Sequence, residues 1–346
     1  MKRIVVDMMG GDLAPLETVK GVCDAAKELE AEFILVGNEP ELLRVAEENG
    51  LSLEGFRIVH TETVITMEDD PISVTRGKSD SSMSVGLRLL SDDEGDAFVS
   101  TGNTGALFTG ANLIVRKIKG TRRPAIAAML PMQPPVLLLD SGANISVTPE
   151  YMEQFAVMGS VYMKKVMGVE LPRVGLLNNG SEEHKGTDTV RAAYELLSSN
   201  PDICFVGNVE GNRVMENACD VLVTDGFTGN VLLKTMEGMG KLTLKTLKEL
   251  FLESAKTKLA YMLVNSGLSA VKKNFDATEL GGAPILGISK PVIKAHGSSN
   301  AKAFKNAIRQ AIECAENDLT ADMAVALAAL AERNRVKKAN TENQEV

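Results

Sequence analysis

The sequence of 346 residues contains no tryptophan, 4 tyrosines and 10 phenylalanines, so aromatic side chains are scarce. Positive charge is also in deficit, because 37 lysines and arginines stand against 46 aspartates and glutamates and leave a formal charge of −9. Nucleic-acid surfaces need basic residues to meet phosphates and aromatic rings to stack on bases. This composition therefore argues against nucleic acid as a primary partner.

Cysteine is scarce as well, and its placement argues against disulfides and zinc sites. The four cysteines lie far apart, with no CxxC pair and no His/Cys cluster. They are Cys23, Cys204, Cys219 and Cys314. We interpret them as buried thiols in a reducing cytosol, and we predict neither a metal nor a cofactor.

Apolar runs long enough for export or membrane insertion are missing too. The first apolar stretch, Ile4–Val6, ends at Asp7 and is shorter than the core of a signal peptide. The longest uncharged window, residues 97–115, has the length of a membrane span but contains hydroxyl and amide side chains and three glycines. We expect a cytoplasmic protein in which this window forms a strand, a polar loop and a helix.

Familiar catalytic signatures are also absent. The sequence has no GxGxxG motif and no GxSxG motif. Gly240-Lys241 lacks both the upstream glycine and the following Ser or Thr of a P-loop. The sequence therefore predicts neither a P-loop nucleotide site nor an acyl-serine enzyme.

Short runs rich in β-branched residues alternate with longer segments of helical periodicity along the chain. The predicted strands are residues 4–7, 33–37, 56–60, 97–100, 125–130, 135–140, 173–177, 203–207, 220–225, 284–288 and 291–295. This repetition predicts an α/β fold, a three-layer αβα sandwich around a largely parallel, Rossmann-like sheet. We predict one large domain over residues 1–335 and a polar C-terminal tail over residues 336–346.

The strand pattern stops between Lys234 and Phe275, which is too long a stretch for a loop and predicts a helical insertion at about residues 234–276. Within it, residues 247–275 place apolar side chains at near-helical spacing with lysines between them. This apolar stripe favours a subunit interface or the core, and contact with a membrane surface is the alternative.

Polar, glycine-rich loops follow seven of the predicted strands, and we expect them to share one ligand. They begin at Asp7, Ser100, Asp140, Asn178, Asn208, Asp225 and His296. In an open parallel sheet, ligands bind beyond the carboxyl ends of the strands, so these loops are expected to face one cleft. Glycine lets the backbone approach a ligand, and N–H groups at helix starts attract anions. The loops therefore predict an anion site, with phosphate as the expected anion.

The turn Ser100–Gly105 is the best single candidate for phosphate, because it joins hydroxyl groups to a helix start without an acidic residue. The residues predicted to contact phosphate or substrate are Asp7, Gly10, Gly11, Asp12, Ser100, Thr101, Gly102, Asn103, Thr104, Gly105, Asn144, Asn178, Asp225, Ser298 and Ser299. The aspartates of these loops, Asp140 included, fit helix caps or turn formers, and alternatively a metal site or the partner of a base. Of the histidines, His184 and His296 are better placed than His60.

The ordered set of loop motifs resembles the bacterial phosphate acyltransferases of phospholipid synthesis, the PlsX family. The motifs are DMMGGDLAP (7–15), RGKSDSSM (76–83), VSTGNTGAL (99–107), LLLDSGAN (137–144), VGLLNNGSEEHKG (174–186), FVGNVEG (205–211), DVLVTDGFTGNVLLKTMEG (220–238) and GGAPILG…HGSSNAKAF (281–304). They run in order from Met1 to about Leu330, and the set is far more specific than any one loop. One departure is that the family commonly carries Ala and His where Met8 and Leu13 stand, so position 13 offers no imidazole.

The resemblance implies an isocitrate/isopropylmalate-dehydrogenase-like fold. It implies transfer of a fatty acyl group from acyl carrier protein to inorganic phosphate, which gives acyl phosphate and the free carrier thiol. It also implies a homodimer associated peripherally with the inner face of the cytoplasmic membrane, beside the acyltransferase that forms acylglycerol phosphate.

The residue types suggest roles in such a reaction. We expect phosphate to bind Ser100–Gly105 with help from Lys185, and Asn230 to stabilise the oxyanion. His184 or His296 would protonate the departing sulfur. Because phosphate is anionic near neutral pH and a thiol of pKa about 8.5 leaves readily, no covalent enzyme nucleophile is expected.

Three other readings of the sequence remain open. A phosphate transacetylase would use acyl-coenzyme A, and a decarboxylating NAD-dependent dehydrogenase would need an aspartate cluster for a metal. A membrane-recruited scaffold would have no activity.

Acyl carrier protein is acidic and requires a basic docking surface, for which Arg116–Arg123 and Lys256–Lys273 are the candidates. Each of these segments also fits a solvated helix face.

Overall fold

A computed structural model describes residues 1–254, 256–261, 264 and 281–344. The strands of these residues are β1 (Lys2–Asp7), β2 (Ala31–Gly37), β3 (Arg57–His60), β4 (Ala97–Ser100), β5 (Ala125–Leu130), β6 (Val136–Leu139), β7 (Arg173–Asn178), β8 (Cys204–Glu210), β9 (Val221–Val223), β10 (Ala283–Leu286) and β11 (Val292–Lys294). They form one 11-stranded sheet in the order β3-β2-β1-β4-β11-β10-β5-β6-β9-β7-β8. Every strand predicted from the sequence is present.

The sheet consists of two parallel groups joined by antiparallel strands. In one group, β3, β2, β1, β4 and β11 are parallel, and in the other, β6, β9, β7 and β8 are parallel. Between them, β10 and β5 pair antiparallel with each other and with their outer neighbours. The two groups therefore run in opposite directions, and the polar loops at their carboxyl ends form two separate sets.

Helices cover both faces of the sheet. They are α1 (Leu16–Glu28), α2 (Glu39–Glu48), α3 (Ser82–Ser91), α4 (Thr104–Gly110), α5 (Pro149–Lys165), α6 (Asp188–Ser198), α7 (Gly226–Leu252), α8 (Ala301–Glu316) and α9 (Leu319–Gln344). Residues Ala111–Val115 continue α4 as a short π-helix. Pro71–Val74 and Arg213–Glu216 form 3-10 turns.

The core lies in layers on the two sides of the sheet. One side of the strands packs against α1, α5, α8 and α9, and the other side of β1, β4 and β11 packs against α3 and α4. A third cluster joins β6 and β9 to α7. The predicted three-layer αβα architecture is thus confirmed.

The helix α8 shows how the sequence builds one of these layers. Apolar residues recur on one of its faces, so that Phe304, Ala307, Ile308 and Ala311 are all buried. Gly21 on α1 makes the close approach possible, because a Cβ there would stand 2.9 Å from the Ala301 carbonyl oxygen. Helices α1 and α8 are far apart in the sequence, yet they pack together as a pair against β1 and β4.

The predicted helical insertion lies partly within the described residues. The helix α7 begins at Gly226, before Lys234, and ends at Leu252, while most of residues 255–276 lie outside the described part of the chain. The helix α9 continues to Gln344, through most of the predicted tail 336–346. Among the described residues, no helix has both the length and the apolar character needed to cross a membrane.

The described cysteines are all free thiols. Cys23, Cys219 and Cys314 are buried, as predicted, and Cys204 is partly exposed. Burial raises the pKa of Cys219 and of Cys314 to about 12, so neither is a thiolate at neutral pH.

Candidate active site

Three polar side chains lie in a row across the carboxyl ends of β1, β4 and β11. The parallel register pairs Val6 with Val99 and Lys294 with Ser100, so Asp7, the next residue of β1, stands beside Ser100. Residues paired in this way point to the same face of the sheet. Only 1% of Asp7, 0% of Ser100 and 8% of Lys294 is exposed. The row is therefore a buried polar cluster on the side of the sheet that α3 covers.

Asp7 organises the turn that follows β1. Its Oδ2 accepts a hydrogen bond from the Ser100 hydroxyl at 2.6 Å, and its Oδ1 accepts one from the Met9 N–H at 3.2 Å. Burial raises the pKa of Asp7, and these hydrogen bonds oppose that shift. A Cβ on Gly10 would stand 2.7 Å from Asp7 Oδ2 and 2.8 Å from the Gly102 nitrogen. The close approach of the two loops therefore requires glycine at position 10.

In the predicted phosphate turn, Ser100–Gly105, the first two hydroxyl groups form hydrogen bonds within the turn and to the loop after β1. The Thr101 hydroxyl donates to the Gly10 carbonyl, and the Ser100 hydroxyl oxygen accepts from the Gly102 N–H at 3.0 Å. Gly11 has φ +94°, and a Cβ there would stand 2.6 Å from the Thr101 Oγ1. The motifs at 7–15 and 99–107 thus form one interlocked unit.

Asn103 links the same turn to an outer loop. Its Oδ1 accepts from the Ala106 N–H at 3.1 Å and caps α4, while its Nδ2 donates to the carbonyls of residues 66, 67 and 69. The N–H groups of Thr104 and Gly105 lie in the first turn of α4, where no helical carbonyl can accept them. With the exposed Thr104 hydroxyl, they are the donors that this turn offers to an anion.

Lys294 brings a buried ammonium group to the same turn. Its Nζ donates to the Thr101 carbonyl at 3.2 Å and to the Ala295 carbonyl. Burial lowers the pKa of Lys294 to about 8, while the charges of Asp12 and Asp7 act in the opposite direction. A lysine beside the N-terminus of α4 makes this edge of the sheet favourable for an anion.

The loop after β11 is tied to the loop after β1 through the Asp12 N–H, which donates to the Gly297 carbonyl at 2.9 Å. His296 Nδ1 lies 2.9 Å from the Ser298 Oγ and accepts from the Ser298 N–H at 3.2 Å. Burial and the neighbouring lysine charges lower the pKa of His296, so its ring is neutral near pH 7. Because Nδ1 accepts, the neutral ring carries its proton on Nε2. Ser299 is buried, and its N–H donates to the His296 carbonyl at 3.0 Å.

In the second parallel group, Asp140 organises the loop after β6 as Asp7 organises the loop after β1. Its carboxylate accepts from the N–H groups of residues 126 and 142–144 and from the Asn144 amide, over 2.6 to 3.2 Å. The Asn144 Nδ2 also donates to the Pro124 carbonyl at 2.8 Å. Both side chains are buried and hold the loop.

Asp225 and Asn230 fix the start of α7 beside that loop. Asp225 caps the helix by accepting from the Thr228 N–H at 2.8 Å and from the Thr228 hydroxyl at 2.7 Å. Asn230 is exposed, and its Nδ2 donates to the Ser141 carbonyl at 3.1 Å. One amide hydrogen of Asn230 is thus bound, and the second is left to donate elsewhere.

Asn178, Lys185 and His184 lie in the loop after β7. The Asn178 Nδ2 donates to the Lys185 carbonyl at 3.1 Å, and the Lys185 side chain lies against Gly180. His184 is exposed. Because β7 belongs to the second parallel group, Lys185 stands with the loops after β6 and β9, and no hydrogen bond or ion pair among the described residues joins it to Ser100–Gly105.

The first turns of α7 connect the two sets of loops. Asn230, Lys234, Glu237 and Lys241 recur at the spacing of one helix face. Asn230 contacts the loop after β6, while the charges of the other three side chains act on His296 in the loop after β11. The loops predicted to face one cleft therefore form two sets, and this face of α7 connects them through the Asn230 hydrogen bond and the charges that act on His296.

Lys294 and Lys234 were not among the residues predicted from the sequence. The signal for Lys294 was available, since a lysine stands in the otherwise apolar strand PVIKA. A charged residue in a buried strand needs a partner, and that need marks it as a candidate for function. Lys234 gave no such signal, because it resembles any surface lysine of an amphipathic helix.

The fold is that of an α/β protein, and its glycine-rich loops, helix N-termini and buried lysine at strand ends are features that favour an anion. Among the described residues, no three His, Cys, Asp or Glu side chains meet in a group that could hold a metal ion. The sheet with helices on both faces agrees with the predicted Rossmann-like αβα fold.

Residues 2–322 match the model of the family described as fatty acid synthesis protein. The phosphate acyltransferase of Thermoanaerobacterium thermosaccharolyticum is 46% identical over 318 residues, which is 92% of this chain and 94% of that protein. The chain therefore belongs to the phosphate acyltransferase family, as its loop motifs predicted.

Two solved structures show the same fold at low identity. A phosphotransacetylase from Streptococcus pyogenes has a TM-score of 0.60 at 19% identity, over 91% of this chain and 94% of that one. A putative 4-hydroxythreonine-4-phosphate dehydrogenase from Salmonella typhimurium has a TM-score of 0.50 at 12% identity, over 90% and 99%. The predicted fold class is confirmed.

The seating of α7 on the loop after β6 predicts the effect of one methyl group. A Cβ on Gly229 would stand 2.0 Å from the Asp140 carbonyl oxygen, whereas nothing lies within 4 Å of a Cβ on Gly238 of the same helix. We expect Gly229→Ala to lower the free energy of unfolding by about 1 to 3 kcal/mol despite the better helix propensity of alanine. Urea denaturation should show Gly238→Ala unchanged or more stable. Equal stability of the two variants would show that α7 does not bear on this loop.

Proposed function

We propose that the protein transfers a fatty acyl group from acyl carrier protein to inorganic phosphate, which forms acyl phosphate for phospholipid synthesis. The observation that carries this proposal is the identity of about 46% with phosphate acyltransferases over nearly the whole chain. The features that favour an anion support it, because the reaction needs a seat for phosphate and donors for a developing oxyanion.

In this proposal phosphate binds at the first turn of α4, where Thr104 and Gly105 present N–H groups. A phosphate oxygen attacks the thioester carbonyl carbon directly, the carbon–sulfur bond breaks, and the acyl group leaves on phosphate. The free N–H of Asn230 stabilises the oxyanion from the side of the loop after β6. Lys185 lies in the loop after β7, on the same side as Asn230. Its positive charge stabilises negative charge on the acyl donor or on phosphate.

We assign the hydrogen bond to the departing sulfur to His296 in preference to His184. His296 stands in the loop that contacts Asp12 and the end of β11, and its neutral ring carries the proton on Nε2. His184 lies in an exposed stretch of the loop after β7. A neutral imidazole is too weak an acid to protonate a thiolate, so its Nε2–H stabilises the departing sulfur as a hydrogen-bond donor, and the thiolate takes its proton from solvent.

The defining experiment measures free carrier thiol released from long-chain acyl carrier protein, with and without phosphate. We expect release only with phosphate, and much slower release from acyl-coenzyme A. Lys185→Ala should lower the rate about 100-fold, while Lys164→Ala on α5 should match the unmodified protein. Equal use of acyl-coenzyme A would indicate a transacetylase. A phosphate-independent result would contradict the proposal, and NAD-dependent stabilisation in a thermal-shift assay would then point to a dehydrogenase.

The acidic carrier protein is proposed to dock on the basic segment Arg116–Arg123. All five basic residues of this segment are exposed, and Leu113 beside it exposes 50% of its surface. Within the described part of the chain, Arg122 is the one member of this segment with an ion-pair partner, Glu150, at 3.9 Å. The second predicted basic segment, Lys256–Lys273, lies largely outside the described residues.

Charge reversal tests this docking surface. The pair Arg122→Glu and Arg123→Glu should raise the KM for acyl carrier protein about 10-fold and make it less dependent on salt, because complementary charge speeds encounter. The KM for phosphate should not change. A matched reversal at Lys164, on α5, should leave both constants unaltered. An unchanged carrier KM in the double variant would place the docking surface elsewhere.

We also propose a homodimer and peripheral contact with the inner face of the cytoplasmic membrane, beside the acyltransferase that forms acylglycerol phosphate. Support comes from the apolar side chains that α7 exposes. They are Phe227, Val231, Met239, Leu242, Leu250 and Leu252, each between 51% and 62% exposed. Single exposed apolar residues are normal on a protein surface, but several on one helix form a larger apolar surface that marks a contact with a partner or a membrane.

Light scattering and vesicle flotation distinguish the two uses of this stripe. Leu250→Glu should weaken either dimerisation or binding to anionic vesicles several-fold, since it places a charge in an apolar contact. Leu43→Glu on α2, where Leu43 is 47% exposed, serves as the control. If Leu250→Glu leaves both properties unchanged, this part of α7 takes no part in either contact.

A further inference from the structure

The buried ammonium group of Lys294 lacks a direct ion-pair partner among the described residues. Two of its three N–H bonds are used by the carbonyls of Thr101 and Ala295. Carbonyl oxygens carry only partial negative charge. Among the described residues, no acceptor binds the third N–H and no carboxylate forms an ion pair with the ammonium. A buried cation without a direct ion pair is costly, and Asp12 and Asp7 act on it only through space, so the arrangement favours a bound anion.

The charged groups around Lys294 come from four elements. Asp7 lies in β1 and Asp12 in the loop after it, and both carboxylates favour the charged lysine. Lys234 on α7 disfavours it. His296, two residues along the chain, has a neutral ring near pH 7 and adds no opposing charge. The carboxylate of Asp7 is already bound by Ser100 and Met9, so it does not replace the missing partner.

The position of Lys294 connects it to the phosphate turn. The Thr101 carbonyl that it binds belongs to the peptide leading into Gly102 and Asn103, two residues before the first N–H groups of α4. Fixing that carbonyl fixes the direction in which the turn enters the helix. The same ammonium adds positive charge beside the helix N-terminus. Its charge and the helix N–H groups then attract the same anion.

We propose that Lys294 is the phosphate-positioning residue of this cleft, holding the Thr101 carbonyl and supplying the counter-charge for phosphate seated on the first turn of α4. The proposal rests on the proposed function in placing phosphate at that turn. It adds a residue that neither the family motifs used above nor the catalytic roles include.

A proton balance follows from this arrangement. The unfolded chain keeps a lysine protonated to about pH 10.4, whereas burial lowers the pKa of Lys294 to about 8. Between these values the folded, phosphate-free protein has lost the proton, so the stability contribution of Lys294 rises with pH in this window. Bound phosphate favours the charged lysine. Phosphate binding should therefore take up a proton above pH 8, and affinity should fall as pH rises through that value.

Isothermal titration of the whole protein with inorganic phosphate at pH 9, in two buffers of different ionisation enthalpy, measures this uptake. Phosphate itself is already a dianion at that pH, so it contributes almost no proton exchange. We expect uptake approaching one proton per site. At pH 7 the uptake assigned to Lys294 should vanish, because the lysine is charged before phosphate binds.

Two variants complete the test. Lys294→Met keeps the length of the side chain and removes the charge, and it should raise the KM for phosphate at least about 10-fold with a smaller change in kcat. It should also abolish the rise in KM above pH 8. Lys290→Met removes a lysine from the other end of β11, where its ammonium lies 2.6 Å from Asp93, and should leave the phosphate KM unchanged.

The outcomes separate this inference from the proposed function. Phosphate-dependent thiol release without proton uptake at pH 9, or with an unaltered phosphate KM in Lys294→Met, would overturn the role of Lys294 and leave the acyltransferase intact. Absence of both phosphate binding and phosphate dependence would overturn both. If Lys294→Met does not fold, the proton uptake of the unmodified protein alone decides.

Discussion

The buried carboxylate of Asp7 is the constraint on which this end of the sheet depends. A charge that is almost fully removed from water must be surrounded by donors, and Asp7 finds them in the Ser100 hydroxyl and the backbone of its own turn. Gathering these donors draws two loops into such close approach that only glycine fits at position 10. Glycine at position 10 is therefore a packing consequence of one buried carboxyl group, and the two loops bring the start of α4 and the ammonium of Lys294 to the same place.

The same solution recurs in the second half of the sheet. Asp140 follows β6 as Asp7 follows β1, and it likewise gathers backbone N–H groups of the loop after it. Since β10 and β5 reverse the chain direction between the halves, the two aspartate-centred loops cannot share one edge of a simple parallel sheet. Helix α7 relates them, because it is seated on the Asp140 loop at Gly229 and carries Lys234 towards His296. In the proposed reaction, the first set of loops binds phosphate and the second set binds the acyl donor.

The sequence predicts the strands well because each is a short apolar run bounded by glycine, proline or polar residues, and all of them appear in the structure. It does not predict the reversal through β10 and β5, because a buried strand carries the same apolar pattern in either direction. For this reason Lys185 was expected beside Ser100–Gly105, whereas the structure places it with Asn178 in the other set of loops. Residue type also misleads where a side chain serves the loop itself. Asn103 and Asp225 resemble ligand-binding residues, yet each caps a helix, so their donors and acceptors are largely occupied.

In the proposed function, a protein of formal charge −9 binds phosphate and an acidic carrier protein, so positive charge is needed locally although the overall charge is negative. At physiological ionic strength, exposed charges are screened over about 8 Å, so acidic residues elsewhere on the surface act weakly on the cleft. Inside the cleft the medium is less polar, and Lys294, Lys234 and the first turn of α4 act at short range with little screening. The basic segment Arg116–Arg123 is exposed and therefore screened, which suits a surface that must release its partner after each turnover. In this proposal, buried charge raises the affinity for phosphate, and exposed charge speeds the encounter with the carrier protein.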